Sequence, residues 1–392
     1  MNPAFVVLFL SLLLGLQPAT TDLYLPALPA MTEALAAQVS HVQLTLSALL
    51  LAFGVSQLVW GPLSDRYGRR PVLIAGLGAY TLASFGSVLA GSIEVLIAWR
   101  IVQGAAMGAV VMCGRALVRD LYSPEIGPRV MSKGLSGVGV IACLSAPLGG
   151  LITQFLGWRI TLLTLALVGS ATLWLTVVHF TETLRAPNAR ATRPGVLLET
   201  WMTIVVHPGF QAFALLSTFS YAGLFTFLAS SSFVFIDVLG FSRPAYGLVM
   251  LASSLAYLMG TVICRRLLVR VGLRTTVAIG GALSLIGGTL IGTLAAMGVA
   301  SPVSVLLPFL IFMLGHGVHQ PCGQSGAVGP FPQAAGAASA LNGFMIALLA
   351  FAMGIWLGRY MDSSVFALAY GVWFWSAAVA FTAWILVPRA SR

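Results

Sequence analysis

The chain has 392 residues, of which 59% are hydrophobic and only 8% are charged, and its formal net charge is +10. A soluble domain usually carries about 25% charged residues, so this composition excludes a water-soluble protein and indicates a membrane protein. The positive charge does not indicate nucleic-acid binding, because the arginines lie singly or in small groups between apolar segments rather than on one basic face.

Twelve apolar segments are long enough to cross a membrane, because a spanning helix needs about 20 mostly apolar residues. The first segment contains Gln17, Pro18 and Asp22 and follows no Lys or Arg, so it is predicted to be a retained helix rather than a signal peptide. The first six helices are predicted near residues 4–25, 42–62, 72–91, 94–116, 130–152 and 158–180. The second six are predicted near residues 210–236, 245–264, 275–297, 302–324, 335–357 and 365–387.

The two sets of helices predict two domains joined by a linker. The longest polar connection runs from Thr181 to His207 and is rich in proline and arginine, which favours a solvated linker over a further domain. The predicted architecture is therefore an all-α polytopic membrane protein. It has an N-terminal six-helix bundle over residues 1–184, a cytoplasmic linker over 185–208 and a C-terminal six-helix bundle over 209–392.

The two halves of the chain share a charged turn. Residues 66–70 read RYGRR after helix 2, and residues 270–274 read RVGLR after helix 8, at an offset of 204 residues. The repeat is imperfect, because Val269 occupies the position that corresponds to Asp65 in the first half. Repeated six-helix halves with a site at their interface are typical of secondary transporters.

The basic residues are distributed unevenly between the two predicted sides of the membrane. Connections on one side carry Arg66, Arg69, Arg70, Arg115, Arg119, Arg129, Lys133, Arg185, Arg190, Arg193, Arg265, Arg266, Arg270, Arg274, Arg389 and Arg392. The other side carries only Arg159, Arg243 and Arg359. Because basic residues concentrate on the cytoplasmic side, both termini and the linker are predicted to be cytoplasmic, in agreement with an even number of helices.

Several motifs carry a resemblance to one family. Residues 61–70 read GPLSDRYGRR, which resembles the signature loop between helices 2 and 3 of major facilitator transporters. Residues 100–104 read RIVQG and resemble the family's Arg-x-x-Gln-Gly motif in helix 4. Residues 21–29, TDLYLPALP, are similar to the matching motif of drug:proton antiporters. Residues 225–235 and 335–341 add a resemblance to the Bcr/CflA multidrug exporters.

Helix 5 contains a pattern that resembles the antiporter motif of the same family. Its members are Gly139, Ala146, Pro147, Gly149 and Gly150, with Ala146 where the motif usually has Gly. Small residues let a neighbouring helix approach closely, and proline removes a backbone hydrogen bond and bends the helix. Ordinary packing of membrane helices uses the same residue types, so the motif indicates a class more than a mechanism.

The resemblance covers the whole chain and implies a major facilitator fold, with two six-helix bundles related by pseudo-twofold symmetry. It implies proton-coupled export of small, mostly apolar drugs or toxic compounds by alternating access, in the inner membrane of a bacterium, by a monomer without a cofactor or metal. The alternative within the family is a carrier of a specific metabolite, such as an amino acid, dipeptide or sugar derivative. A membrane enzyme and a channel are disfavoured, because neither a cluster of reactive groups nor a filter sequence is present. No nucleotide-binding loop occurs, so ATP is not expected to drive transport.

The charged loop after helix 2 is predicted to form a conformational latch. The residues assigned to it are Gly61, Asp65, Arg66, Gly68, Arg69, Arg70 and, from the connection between helices 4 and 5, Asp120. Asp65 can accept hydrogen bonds from Arg69 or from a helix N-terminus, where a carboxylate is favoured. The family resemblance places the start of helix 11 nearby. Positive-inside topology alone is the other explanation for these charges.

Asp22 and Arg100 are predicted to be the proton-coupling residues. Among the acids only Asp22, and among the basic residues only Arg100, lies well inside an apolar segment. A charge inside the membrane is costly unless it is paired or hydrated, so it marks function by default. The two residues are predicted to pair conditionally while Asp22 takes up and releases a proton. A static bridge between them is the alternative.

The substrate pocket is expected to be mostly apolar with a few polar groups. Candidate lining residues are Gln17, Tyr24, Gln103, Met107, Met112, Tyr221, Phe225, Phe227, Phe235 and Asn342. For any single aromatic residue among them, contact with lipid or packing in the protein interior is favoured over contact with the substrate. His316 and His319 could titrate near neutral pH, but they are interpreted as interior polar residues bonded to their neighbours.

Overall fold

The computed structural model describes residues 3–122, 126–184, 192–362 and 364–390, and every regular element in these ranges is helical. The helices up to residue 205 are α1 Pro3–Asp22, α2 Leu28–Ala34, α3 Val39–Tyr67, α4 Arg69–Val88, α5 Ile93–Leu121, α6 Gly127–Leu156, α7 Trp158–His179 and α8 Pro194–Val205. The remaining helices are α9 Pro208–Ser232, α10 Arg243–Ala296, α11 Pro302–Val328, α12 Ala335–Tyr360, α13 Phe366–Phe381 and α14 Val387–Ala390.

Twelve membrane spans are present in the described part of the chain, as the sequence predicts. Eleven helical segments there are long and apolar enough to cross a membrane. The longest is α10, whose 54 residues would extend about 81 Å against a hydrocarbon core of about 30 Å. Its backbone leaves the helical conformation at Gly272, with φ 76° and ψ 175°. Two spans therefore meet at Gly272, and the predicted separate helices near 245–264 and 275–297 are confirmed.

The first membrane span is not one uniform helix. The α-helix α1 ends at Asp22, a 3-10 turn covers Leu25–Ala27, and α2 continues from Leu28. Pro26 and Pro29 cause this change, because neither can donate the backbone hydrogen bond that a continuous α-helix needs at its position. The end of a helix therefore falls inside the span, directly at Asp22.

The chain divides into two compact units, Met1–Glu199 and Thr200–Arg392. Residues 185–191 of the predicted linker lie outside the described residues. The rest of that linker includes α8, a helix of 12 residues where the sequence predicts a solvated connection. The division of the chain falls within α8.

Each unit is built from membrane helices that pack in pairs. In the first unit α1 packs on α6, α3 on α5, and α4 on both α5 and α7. In the second unit α10 packs on α11 and α13, and α9 contacts α11, α12 and α13. Close approach depends on glycine at particular points: a Cβ on Gly104 of α5 would overlap the backbone of Leu49 in α3.

Candidate functional site

Asp22 lies at the C-terminal end of α1, inside the first span. Its Oδ1 accepts a hydrogen bond from Oγ1 of Thr21 at 2.8 Å. Asp22 keeps part of its surface exposed, whereas Thr21 and Leu23 on either side are buried. A carboxyl group at this depth, with one hydrogen bond and partial access, is able to change its protonation state when its surroundings change.

The predicted antiporter motif of α6 packs against this end of α1. A Cβ on Gly149 would overlap the carbonyl oxygen of Leu23, the residue after Asp22. Ala146 is buried one turn earlier on the same helix, while Gly139 and Pro147 are half-buried and Gly150 is buried. The structure therefore brings Gly149 and the Asp22 end of α1 into direct contact.

Arg100 is fully buried in α5 and is held by three contacts. Its Nη1 donates to Oε1 of Gln103 at 2.6 Å, and its Nη2 donates to the carbonyl oxygen of Thr20 at 3.2 Å. The guanidinium carbon also lies 4.2 Å from the centroid of the Tyr24 ring, a cation–π contact. Arg100 is thus bound to the residues that flank Asp22 on both sides.

No ion pair joins Asp22 and Arg100 in this conformation of the described chain. Arg100 instead donates to Thr20, one of the last carbonyl groups of α1. These carbonyls have no intrahelical partner, and the helix dipole favours a cation beside them. The two side chains predicted to pair directly are therefore linked through the last turn of α1.

A buried network of hydroxyl and amide groups continues from this point. The Oγ1 atom of Thr20 and the hydroxyl of Tyr80 are 2.6 Å apart, and Nε2 of Gln103 donates to Oγ of Ser84 at 2.7 Å. The Tyr24 hydroxyl also bonds Oγ1 of Thr45. Of this network, only Arg100, Tyr24 and Gln103 are predicted as site residues from the sequence. Polar side chains inside apolar segments were the available signal, but many such residues in the chain bond only to their own helix.

At the end of α3, the structure brings together three of the charged residues assigned to the latch. Nη1 of Arg69 lies 2.7 Å from Oδ1 of Asp65, and Nε lies 2.9 Å from Oδ2 of Asp120. Nη1 also donates to Oγ of Ser64 at 2.6 Å. Arg69 is buried, so its charge depends on these two carboxylates.

Glu182, which follows α7, binds the N-terminus of α4 and was not assigned to the latch from the sequence. Its carboxylate accepts hydrogen bonds from the backbone N–H groups of Arg69 at 2.9 Å and Arg70 at 3.0 Å. It also accepts from the N–H groups of Thr183 and Leu184, each at 2.9 Å. Partial burial acts to raise the pKa of Glu182, but these backbone hydrogen bonds outweigh burial and hold the pKa below its usual value.

Gly68 makes this capping contact possible. Its φ of 101° lies in the region that favours glycine, and a Cβ there would lie 2.5 Å from Oε2 of Glu182. Beside it, Nε of Arg70 donates to the carbonyl of Phe180 at 2.8 Å, which ties α4 to the end of α7. Arg66 donates to Oγ1 of Thr192 at 2.6 Å. Gly61, the first residue of the motif, lies on α3 where a Cβ would just touch a methionine of α5.

The predicted substrate-contacting residues divide into two groups by exposure. Gln17, Met112 and Tyr221 are half-buried. The buried candidates are Tyr24, Gln103, Met107, Phe225, Phe227, Phe235 and Asn342. Several of the buried residues have protein partners: the Phe227 ring stacks on Phe309, and Oδ1 of Asn342 accepts from Oγ of Ser217 at 2.9 Å.

Comparisons with known proteins agree on one family. The sequence model of the Major Facilitator Superfamily matches residues 10–355 of this chain. Multidrug resistance protein D of Escherichia coli is 32% identical over 338 residues, which cover 86% of this chain and 84% of the relative. The bicyclomycin resistance protein homolog of Haemophilus influenzae is 27% identical over 359 residues, or 91% and 88% of the two chains. Among solved structures, a D-xylose-proton symporter has a TM-score of 0.77 at 17% identity and covers 99% of both chains, which shows the shared fold.

Proposed function

This chain belongs to the Major Facilitator Superfamily and is a multi-pass membrane transporter rather than an enzyme; from that premise we propose that it exports small, mostly apolar drugs or toxic compounds in exchange for protons. The named relatives support drug efflux rather than transport of one specific metabolite. Because major facilitators move small molecules by alternating access, this chain is expected to expose its substrate site to each side of the membrane in turn.

The single observation that carries the proposal is the environment of Asp22. This acid lies where α1 stops inside the membrane, its side chain accepts one hydrogen bond from the described residues, and part of its surface is exposed. Protonation removes a negative charge from a helix C-terminus, where the dipole disfavours such a charge. A bound proton therefore favours closure around this helix end, and its release favours opening to water.

Arg100 contributes to this switch through the backbone of α1. It is bonded to the Thr20 carbonyl and lies over the Tyr24 ring, two residues before and two residues after Asp22. A change in charge at Asp22 alters the field at the guanidinium through the same helix end. We infer that Arg100 holds the last turn of α1 in one arrangement while Asp22 is protonated and moves toward the carboxylate when the proton leaves.

The network around Arg69 is proposed to act as the conformational latch. Arg69 is bonded to Asp65 and Asp120 and lies beside the Glu182 cap, so it holds the ends of α3, α4, α5 and α7 together. Breaking two ion pairs at a buried arginine is costly, and such a contact suits a state that must be held until substrate binds. Cytoplasmic termini, a cytoplasmic linker over residues 185–208, an inner-membrane location and a working monomer complete the proposal.

The test has two stages. A host lacking its own efflux pumps, expressing the chain, is first profiled for resistance to a panel of antibiotics. Everted membrane vesicles from the same host are then given a compound from that profile, and the alkalinisation of the vesicle interior is followed. We expect Asp22→Asn to insert normally and to lose proton movement, and Asp22→Glu to retain part of it. Proton-linked export by Asp22→Asn at an unchanged pH dependence would refute the role of Asp22.

A further inference from the structure

We propose that His316 and His319, in the middle of α11, form a second protonation site, located in the second unit. This inference rests on the proposed exchange of drug for protons and adds a site to it. His316 and His319 are the 15th and 18th residues of α11, Pro302–Val328, which has 27 residues. Residues three apart lie on the same face of a helix, and both rings are buried. An ionisable group at such a depth marks a functional site by default.

The hydrogen bonds of His319 leave one basic nitrogen free. Nε2 lies 3.4 Å from the carbonyl oxygen of Val277, and a carbonyl can only accept a hydrogen bond, so Nε2 carries the proton. In a neutral imidazole the other nitrogen then has a lone pair and no hydrogen. This atom, Nδ1, is buried and has no hydrogen-bond partner among the described residues. It is therefore a vacant acceptor for a proton.

A second buried group without a partner lies at the same helix interface. Oγ of Ser284 on α10 forms no hydrogen bond within the described residues. Ser284 is one turn beyond Gly280, where a Cβ would lie 2.7 Å from Nε2 of His319. On α11, Gly315 packs against Ser284 one turn before His319. Unpaired buried polar groups are rare because each is costly, so two of them at one interface indicate a site that is completed in another state.

His316 extends the site toward α9. Its Nδ1 is 2.9 Å from Oγ of Ser220, a group that can donate to the neutral ring or accept from the protonated one. The ring centroid lies 5.5 Å from that of Tyr257 on α10, with the two rings tilted. The Ser220 hydroxyl can therefore bond either form of His316. A proton can therefore bind the free lone pair of His319, while His316 has a hydroxyl partner that can bond its neutral or its protonated ring.

In the described ranges no carboxylate is paired with either histidine, and this determines when the two rings are charged. The titratable group in ring contact with the pair is Tyr257 on α10. Cys264 on α10 lies against the Val318 carbonyl of α11 and beside Cys322, rather than against either ring. Helix α9 presents Ser220, and the only charged residue of α12 is Arg359 in its last turn. Within the described residues no ion pair involves either ring. A buried cation without a partner is costly, so both rings are neutral in this arrangement and gain a proton only when water reaches them. The site therefore responds to the opening of the second unit.

The protonation of the pair can be read directly. The chain has five histidines, so replacing His41, His179 and His207 by Gln leaves only the pair. This variant, labelled with nitrogen-15 histidine and reconstituted in lipid nanodiscs, is followed by NMR from pH 5 to 8.5 with and without chloramphenicol as the probe compound. We expect the bare-nitrogen resonance of at least one ring to disappear on acidification. If both rings keep one unprotonated nitrogen at every pH, with and without chloramphenicol, both histidines stay neutral and the proposal is overturned.

Transport measurements separate this inference from the proposed function. In the vesicle assay, His319→Asn is expected to release one proton fewer per exported molecule than the parent chain, and Asn keeps a donor for the Val277 carbonyl. If His319→Asn releases as many protons as the parent chain, and NMR shows that the pair does not titrate, the histidines have only a structural role and the proposal fails. If instead the pair titrates but Asp22→Asn still exports with protons, the role of Asp22 fails and the second site stands.

Discussion

Replacing Glu182 by Ala should loosen the first turn of α4. In the parent chain the carboxylate accepts from the N–H groups of Arg69 and Arg70, which have no intrahelical partner. Loss of a side-chain cap costs about 0.5–2 kcal/mol, and Glu182 is only partly buried, so water replaces part of the loss. We take about 1 kcal/mol, which corresponds to about a fivefold shift in the equilibrium between the closed and open first turn.

Hydrogen–deuterium exchange measures this shift at the affected amides. Exchange of the Arg69 and Arg70 amides should become about fivefold faster in Glu182→Ala, whereas amides in the middle of α4 should be unchanged. Glu182→Gln is the matched control, because it keeps one oxygen acceptor without the charge and should give an intermediate rate. Unchanged exchange at Arg69 and Arg70 in Glu182→Ala would refute the capping role.

The same contact predicts a pH dependence with a definite sign. The pKa of Glu182 is lowered from 4.5 in the folded chain, so its stabilisation is fully present above pH 4.5 and is lost as the pH falls through the lower folded value. Protection of the Arg69 and Arg70 amides should therefore decrease below about pH 4.5 in the parent chain. Glu182→Ala should lack this decrease. Equal acid sensitivity in both proteins would show that another group is responsible.

Three further predictions follow from the packing. Gly149→Ala should lower drug resistance toward the level of the empty host, because the added methyl would overlap the Leu23 carbonyl beside Asp22. The control is Gly78→Ala, whose added methyl meets nothing within 4 Å and should leave resistance unchanged. Gly68→Ala should lower the melting temperature, since a φ of 101° costs an L-residue about 1–3 kcal/mol. Adding Glu182→Ala should remove the overlap between the new methyl and the Glu182 carboxylate, but it should leave the backbone strain and the loss that goes with it. Oxidation with copper phenanthroline should consume two of the four thiols, because the Sγ atoms of Cys264 and Cys322 are 3.6 Å apart and can form a disulfide. If the Cys322→Ser variant also lost two thiols on oxidation, this pairing would be contradicted.

Most of the membrane architecture could be predicted from the sequence. The bilayer fixes the length of a spanning helix, so a run of apolar residues marks a span whatever it packs against. Glycine and proline mark the ends of spans for local reasons, as Gly272 does within α10. The short helix α8 was missed because its proline- and arginine-rich approach indicates a solvated connection.

The arrangement of the candidate site could be predicted only in part. Asp22 and Arg100 stand out because a charge in an apolar segment is rare. Their partners do not, because a uniformly apolar helix gives no periodic signal for which face meets which neighbour. Arg100 therefore reaches Thr20, 80 residues away in the chain, rather than forming the ion pair that charge alone predicts.

The amino-acid sequence by itself determined the number of spans, the asymmetry of basic residues and the family, since each depends on residue type and local order. Only the tertiary structure decided that Glu182 caps α4 across 113 residues and that one nitrogen of His319 has no partner. These contacts depend on the rotation and spacing of packed helices. Such geometry is set by many small packing choices together, and no single stretch of sequence encodes it.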